Sequence, residues 1–244
     1  MAPAPKPCIL VTRPAPAGQV LCERLAQAGF HAIFFPTIAF MPLAYHPHEG
    51  GDPYWLIFTS PQAVTFASPI PPALRYAAVG SGTAAALLAA GIDALYPPEN
   101  PGSEGLLAIL KREVSGKVII VTGRNGRPYL RDTLRAWNID VSEWIVYERV
   151  LPAYASLPFD LSTKIDRVIC TSVEGVRNLK ILLESRLGPR LYDLPLLVTS
   201  VRIKALAEVD GFKRIWMAHD ASHDAILAAL SSQGTYHERC ESTQ

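Results

Sequence analysis

Six apolar runs in this chain, most of them β-branched, each stop at a Thr, Ser or Gly and give way to helix-like periodicity. They are 8–12, 55–60, 76–83, 118–123, 168–172 and 196–200. Continuous apolar runs of this kind fit strands buried on both faces, as in parallel sheets. The hydroxyls and glycines then fall at the carboxyl ends of strands, where the next helix begins. Free N–H groups and the helix dipole favour anions there. Open α/β sheets bind their ligands at that same edge. One pattern therefore bears on both the architecture and the place of a site.

Ten candidate strands follow from such runs, at roughly 8–12, 31–36, 55–59, 75–79, 92–96, 117–122, 141–147, 167–171, 195–199 and 213–217. Amphipathic segments separate most of them. Gln19–Ala28 stops at Gly29 and Thr83–Ala90 at Gly91, the usual glycine end of a helix. Pro128–Trp137, Glu174–Leu183 and Arg202–Val209 are further helical segments. Strand–helix alternation at this spacing gives βαβ units with right-handed crossovers.

The chain also repeats itself. Ile9–Arg13, a helix and Gly29–Pro36 resemble Ile119–Gly123, a helix and Asn138–Tyr147. Phe58–Val64 resembles Cys170–Val176, and 91–107 resembles 211–226, each pair offset by roughly 110–120 residues. The expectation is an α/β protein of two similar parallel-sheet lobes with five strands each. Counting strands in order cuts the chain near Glu113. The Pro-rich stretches Pro42–Pro53 and Leu151–Pro158 suggest a different cut, with a middle lobe of about 43–147 inserted into an outer one.

Composition narrows the function. A formal net charge of +1 leaves no broad basic field, so nucleic acid is not an expected partner and any anion site must be local. No apolar stretch approaches the ~20 residues of a membrane span. Met1–Pro7 lacks the apolar core of a secretory signal, so a cytoplasmic place is expected. The four cysteines form no C-x-x-C pair, and Cys8 and Cys170 fall inside expected strands, where they read as core thiols. The six histidines form no H-x-x-x-H pair, and His46 and His48 stand in the first Pro-rich stretch without a ligand cluster, so no metal is expected. There is no P-loop and no G-x-S-x-G elbow. Gly80–Ala85 fits G-x-G-x-x-A, but it follows the wrong strand for a dinucleotide fingerprint, and the next strand lacks a terminal acid. A non-catalytic binding protein for a small anion or a nucleotide stays open as the alternative.

The candidates that remain are neutral donors at strand ends, with a few arginines: Arg13, Arg124, Arg127, Arg149 and Arg202. Arg13 and Arg202 gain weight because each stands just past a strand end. One helix terminus contributes only ~0.3–1 kcal/mol to binding an anion. Several together hold a ligand with many carboxylates without a basic patch. Tyr147 closes the apolar run Trp144–Tyr147, just before the second Pro-rich stretch. A tyrosine that merely anchors that hinge is the simpler reading. As chemistry, a phenol is protonated at neutral pH, so it donates rather than accepts and suits a general acid.

Taken together, Val11–Pro14, Phe58–Val64, Ala78–Gly80 with Thr83 and Ala84, Ser103–Leu106, Gly126–Arg127, Val146–Arg149, Thr171–Ser172 and Thr199–Arg202 resemble the uroporphyrinogen-III synthase family over about 8–230. The resemblance implies two doubly wound flavodoxin- or Rossmann-like lobes joined by a two-stranded linker, with the site in the cleft between them. It favours the inserted arrangement: 1–38 with 151–244 as the outer lobe, 43–147 as the inserted lobe, and linkers at about 39–42 and 148–150. It implies cyclisation of hydroxymethylbilane, a flexible tetrapyrrole rich in carboxylates, to uroporphyrinogen III, with loss of water and inversion of ring D. No cofactor is implied, and a monomer is the expected state. Tyr147 takes the place of the family's acid. Arg13, Thr59, Ser60, Gly80, Thr83, Ser103, Thr171, Ser172, Ser200 and Arg202 fall where members meet substrate carboxylates. Thr122, Gln62 and Val173 depart from the family's usual Arg, Asn and Pro.

Overall fold

The structure, a computed structural model, describes residues 6–44, 54–160 and 163–240, with side chains as far as Ser231. In chain order, β1 (Cys8–Val11), α1 (Ala17–Gln27), β2 (His31–Phe34) and β3 (Ala39–Pro42) come first. Next are β4 (Trp55–Phe58), α2 (Pro61–Phe66), β5 (Arg75–Ala78), α3 (Ser81–Ala89), α4 (Ser103–Leu110), β6 (Lys117–Gly123), α5 (Tyr129–Ala136) and β7 (Asp140–Val150). The chain then runs through β8 (Arg167–Cys170), α6 (Val173–Leu187), a 3₁₀ turn (Gly188–Asp193), β9 (Leu196–Val198), α7 (Val201–Val209), β10 (Ile215–Met217) and α8 (His223–Cys240).

Contacts divide the chain into two compact units. One joins the residues up to Ala39 with those from Leu151 onward, and the other is Phe40–Val150. Each holds one five-stranded sheet, in the spatial orders β10-β9-β8-β1-β2 and β3-β7-β6-β4-β5. The ladders within the first sheet, and those joining β4, β5, β6 and β7, are parallel. Numbered by its own chain order, the first sheet reads 2-1-3-4-5, so its direction of winding reverses between β1 and β8. With β6 and β7 taken as counterparts of β1 and β2, as the internal repeat pairs them, β7-β6-β4-β5 follows the order of the first four strands, and β3 adds a fifth on the opposite edge, outside β7. Its chain simply enters at a different strand.

Strand alternation explains why both sheets are buried on two faces. In the first, Leu10, Val168, Cys170, Leu196 and Val198 pack under α6 and α7. Their neighbours Ile9, Val11, Ile169 and Leu197 pack under α1 and α8 on the other face. In the second, Leu56, Phe58, Ile119 and Val121 meet α2 and α3, while Trp55, Ile57, Val118 and Ile120 meet α4 and α5. Continuous apolar runs are what such two-sided burial requires.

Two strand expectations need correction. The strand at 92–96 shrinks to a single bridge, Leu95 with Ala77. Pro97 and Pro98 follow at once, and proline has no N–H to extend a ladder. The fifth strand of the second sheet is instead β3, which was not expected. Ala39-Phe-Met-Pro42 is apolar, but it is only four residues long, has no buried residue and ends in the proline that opens the Pro-rich stretch, so it resembles a linker more than a central strand. Residues 39–42 and 148–150, expected as linkers, are β3 and the last residues of β7. Most of the 42–53 stretch, with His46 and His48, lies outside the described residues.

Candidate active site

The carboxyl ends of β4 and β6 open onto a cavity of about 260 Å³ in the Phe40–Val150 unit. Thr59, Ser60, Ser103, Thr122, Gly123 and Tyr147 bring hydroxyls and backbone to its wall. Local sequence puts them there. Thr59 and Ser60 follow the buried strand β4, and Ser60 is the N-cap of α2, its Oγ accepting the Ala63 N–H at 3.0 Å. Thr59 Oγ1 donates to Thr122 Oγ1 at 2.9 Å, which ties the ends of β4 and β6 together. Ser103 opens α4. That helix can sit this close to the preceding loop only because residue 105 is glycine: a Cβ there would stand 1.8 Å from the Asn100 carbonyl oxygen.

Tyr147 reaches the cavity through an irregularity in the sheet. Thr122 pairs with Ile145, but Gly123 pairs with Tyr147, so Val146 is an extra residue in the ladder. Such a bulge re-aims the side chain that follows it. Regular alternation would set Tyr147 with Ile145, which is 40% exposed; instead Tyr147 joins Val146 in the buried cluster at 3%. Its ring meets Phe40 edge-on at 5.3 Å and Phe66 at 5.6 Å. Its hydroxyl lies 3.1 Å from Ser60 Oγ. The ring also lies directly over Gly123, where a Cβ would stand 2.4 Å from the Tyr147 Cζ.

The cavity wall is also ionic. Arg124, Arg127, Arg131, Arg149 and Glu143 contribute to it. Three of the arginines hold glutamates: Arg124 with Glu148 at 3.0 Å, Arg127 with Glu104 at 2.8 Å and Arg131 with Glu143 at 2.9 Å. Glu104 is held below the ordinary carboxylate range, first by its own backbone N–H and then by the Arg127 hydrogen bond. Hydrogen bonds to Asp132 and then Glu143 keep Arg131 more firmly protonated than a free guanidinium. Each pair is at least partly solvated, so it adds little to stability.

The remaining expected residues stand elsewhere. Gly80 caps α3 with an extended φ of −173°, a conformation open to any residue. Thr83 is 4% exposed, on the buried face of α3, and is not part of the cavity wall. The G-x-G-x-x-A segment follows β5, away from the place where the strand order reverses, and reads as a tight strand-to-helix turn.

Arg13, Thr171, Ser172, Ser200 and Arg202 belong to the other unit, at the carboxyl rim of its sheet. Ser172 and Ser200 cap α6 and α7, accepting from the Gly175 N–H at 2.9 Å and the Ile203 N–H at 3.3 Å. Arg13 donates to the Ala221 carbonyl at 2.9 Å, and burial lowers its pKa. Arg202 is exposed in the first turn of α7.

Three contributors to the cavity escaped the sequence reading: Arg131, Glu143 and the bare face of Gly123. Arg131 and Glu143 come from within α5 and β7, so they carry no strand-end mark. Gly123 did leave a signal. The internal repeat sets it against Arg13, and only one of those two positions leaves room for an aromatic ring.

Comparison with known proteins is consistent across sequence and structure. A family model described as uroporphyrinogen-III synthase HemD matches residues 19–228. A uroporphyrinogen-III synthase of Escherichia coli strain K12 is 33% identical over 243 residues, covering 91% of this chain and 99% of that protein. One of Salmonella typhimurium strain LT2 is 34% identical over 245 residues, covering 91% and 99%. The crystal structure of uroporphyrinogen-III synthetase from Helicobacter pylori 26695 superposes with a TM-score of 0.62 at 17% identity, covering 93% of this chain and 99% of that one. A mutant uroporphyrinogen III synthase from the extremely thermophilic bacterium Thermus thermophilus gives 0.54 at 14% identity, covering 96% and 99%. At those identities the structures speak to the α/β fold alone.

Proposed function

This chain belongs to the uroporphyrinogen-III synthase family, and from that premise we propose that the cavity of its Phe40–Val150 unit is the reaction centre, with Tyr147 as the acid. The activity is the cyclisation of hydroxymethylbilane to uroporphyrinogen III, with loss of water and inversion of ring D, in tetrapyrrole (haem) biosynthesis. The observation that carries the assignment of the centre is the phenol of Tyr147, bulged into a hydroxyl-lined cavity beside the Ser60 hydroxyl at 3.1 Å.

The chemistry asks little of an acid. The pyrrole nitrogen pushes hydroxide from the terminal carbon and leaves an azafulvenium cation, while Tyr147 gives the departing oxygen its proton. The larger task is orientation, because attack must fall on the substituted position of ring D before simple end-to-end closure. A cavity of about 260 Å³ is below the ~300–1,000 Å³ of a drug-sized ligand pocket, so it takes the hydroxymethyl end rather than the whole tetrapyrrole. Thr59, Ser103 and the arginines of the cavity wall are assigned to carboxylates of that end, and Ser60 to the phenol of Tyr147 rather than to a carboxylate. Gly80 and Thr83 are kept only as supports of the α3 turn. Arg13, Thr171, Ser172, Ser200 and Arg202 are assigned to other carboxylates at the rim of their own sheet. In the finer architecture, each unit is a doubly wound flavodoxin-like lobe, and β3 beside the end of β7 is the two-stranded linker.

Arg127→Ala is expected to raise KM about tenfold while leaving kcat within about twofold. A contact made equally in ground and transition states behaves this way, and a charge-assisted hydrogen bond contributes ~1.5–3 kcal/mol before the lost Glu104 pair is set against it. Steady-state kinetics across substrate concentration check it. The reading as a whole is tested by incubating the purified protein with hydroxymethylbilane and separating the porphyrinogen isomers. Type III is expected; type I alone, the spontaneous product, marks a protein that merely binds.

A further inference from the structure

Tyr147 and Ser60 share one hydrogen bond, and its direction decides whether the phenol can act. A serine hydroxyl has one proton to give and two lone pairs with which to accept. Ser60 already spends one lone pair on the Ala63 N–H, at 3.0 Å. If Tyr147 donates to the other, its proton is committed to the protein and lost to the reaction. If Ser60 donates to Tyr147, the phenol proton turns to whatever occupies the cavity. The cap favours the second arrangement. Accepting from an N–H at the positive end of a helix polarises the serine O–H and makes it the better donor.

We propose that Ser60 is a positioning residue for Tyr147, resting on the reading of Tyr147 as the acid. The order runs from the Ala63 N–H to Ser60 Oγ, from the Ser60 hydroxyl to Tyr147 Oη, and from Tyr147 to the leaving hydroxyl. As the C–O bond breaks, the phenol proton moves to the departing oxygen and water leaves. The phenolate that remains keeps the Ser60 hydrogen bond, now charge-assisted and stronger. Ring closure later expels one proton from the carbon that regains aromaticity, and that proton restores the phenol, so the step balances without a co-reactant. Burial of Tyr147 at 3% leaves Ser60 as a partner that bulk water does not readily replace.

Replacing Ser60 separates its two jobs. An aspartate caps a helix as well as serine does, but its carboxylate only accepts, so it takes the Tyr147 proton. Ser60→Asp is expected to melt within a few degrees of the parent protein and to lose at least tenfold in kcat at saturating substrate. Ser60→Thr keeps both the cap and the donor, and is expected to stay within about threefold. In a Tyr147→Phe background there is no phenol to orient, so Ser60→Asp is expected to cost less than twofold further. A Ser60→Asp enzyme as fast as the parent overturns the proposal. So does a Ser60→Asp penalty undiminished by Tyr147→Phe, or a Ser60→Thr enzyme as slow as Ser60→Asp. If Tyr147→Phe alone keeps the parent kcat, the fault lies in the assignment of Tyr147 and not in its link to Ser60.

Discussion

Tyr147→Phe is expected to slow formation of the type III isomer by about 10²-fold, the lower end of the ~10²–10⁴ that a positioned acid contributes. The low end applies because the pyrrole nitrogen supplies most of the push on the leaving hydroxide. KM is expected to change little, since the phenol proton matters as the bond breaks rather than as the substrate docks. Stability should barely move. The variant loses one hydrogen bond to Ser60, worth ~0.5–1.5 kcal/mol, while the ring keeps its contacts with Phe40 and Phe66. In a chain this size that is about 1–6 °C of melting temperature. Rapid assay of type III formation beside a thermal melt separates the two effects. An unchanged turnover rate removes Tyr147 from the chemistry.

Gly123→Ala is expected to do more damage from farther away. The new methyl carbon would lie 2.4 Å from Cζ and 2.8 Å from the hydroxyl oxygen of Tyr147. The ring has no easy retreat, with Phe40 and Phe66 packed against it at 5.3 and 5.6 Å. Either the ring leaves its place beside Ser60 or the bulged strand shifts. Overpacking of this kind costs ~1–3 kcal/mol, so the melting temperature should fall by about 2–12 °C. Turnover should fall at least as far as in Tyr147→Phe, because the phenol is misplaced along with its partner. A Gly123→Ala enzyme with the parent melting temperature and rate would show that the ring moves aside freely, and the bulge would then have no part in aiming it.

These two residues also mark where sequence reasoning succeeds and where it stops. The strands that line the site were readable because burial on both faces leaves uninterrupted apolar runs, and Thr59–Ser60 and Thr171–Ser172 stand where those runs end. Ser60, Ser172 and Ser200 were expected as donors to a ligand. The structure shows each also spending a lone pair on capping a helix, which leaves its proton to give. β3 was not readable although Ala39-Phe-Met is apolar, because it is only four residues long and runs straight into the Pro-rich stretch that marks a linker. The strand expected at 92–96 misled in the opposite direction: Ile92, Ala94 and Leu95 are apolar because they cover the ends of α3 and β5, not because they extend the sheet. The bulge lay beyond reach as well. Trp144-Ile-Val-Tyr147 reads as an ordinary apolar run, and nothing in it says that Val146 is passed over. Arg131 and Glu143 are typical surface residues by type, and only the cavity gives them a role.

The chain leaves the first sheet after β2 and comes back to it at β8, so Ile9 in β1 finds its neighbour Arg167 only on the far side of the whole Phe40–Val150 unit. Synthesis by a ribosome therefore finishes the inner unit first, since all its strands have emerged once Val150 is out. Meanwhile β1, destined for the middle of its sheet, waits with one edge unpaired and both faces apolar. Open edges of that kind invite association with other chains. Translation that stalls between Val150 and Arg167 should thus release a polypeptide whose inner half is sound and whose amino-terminal β1–α1–β2 segment is prone to clump.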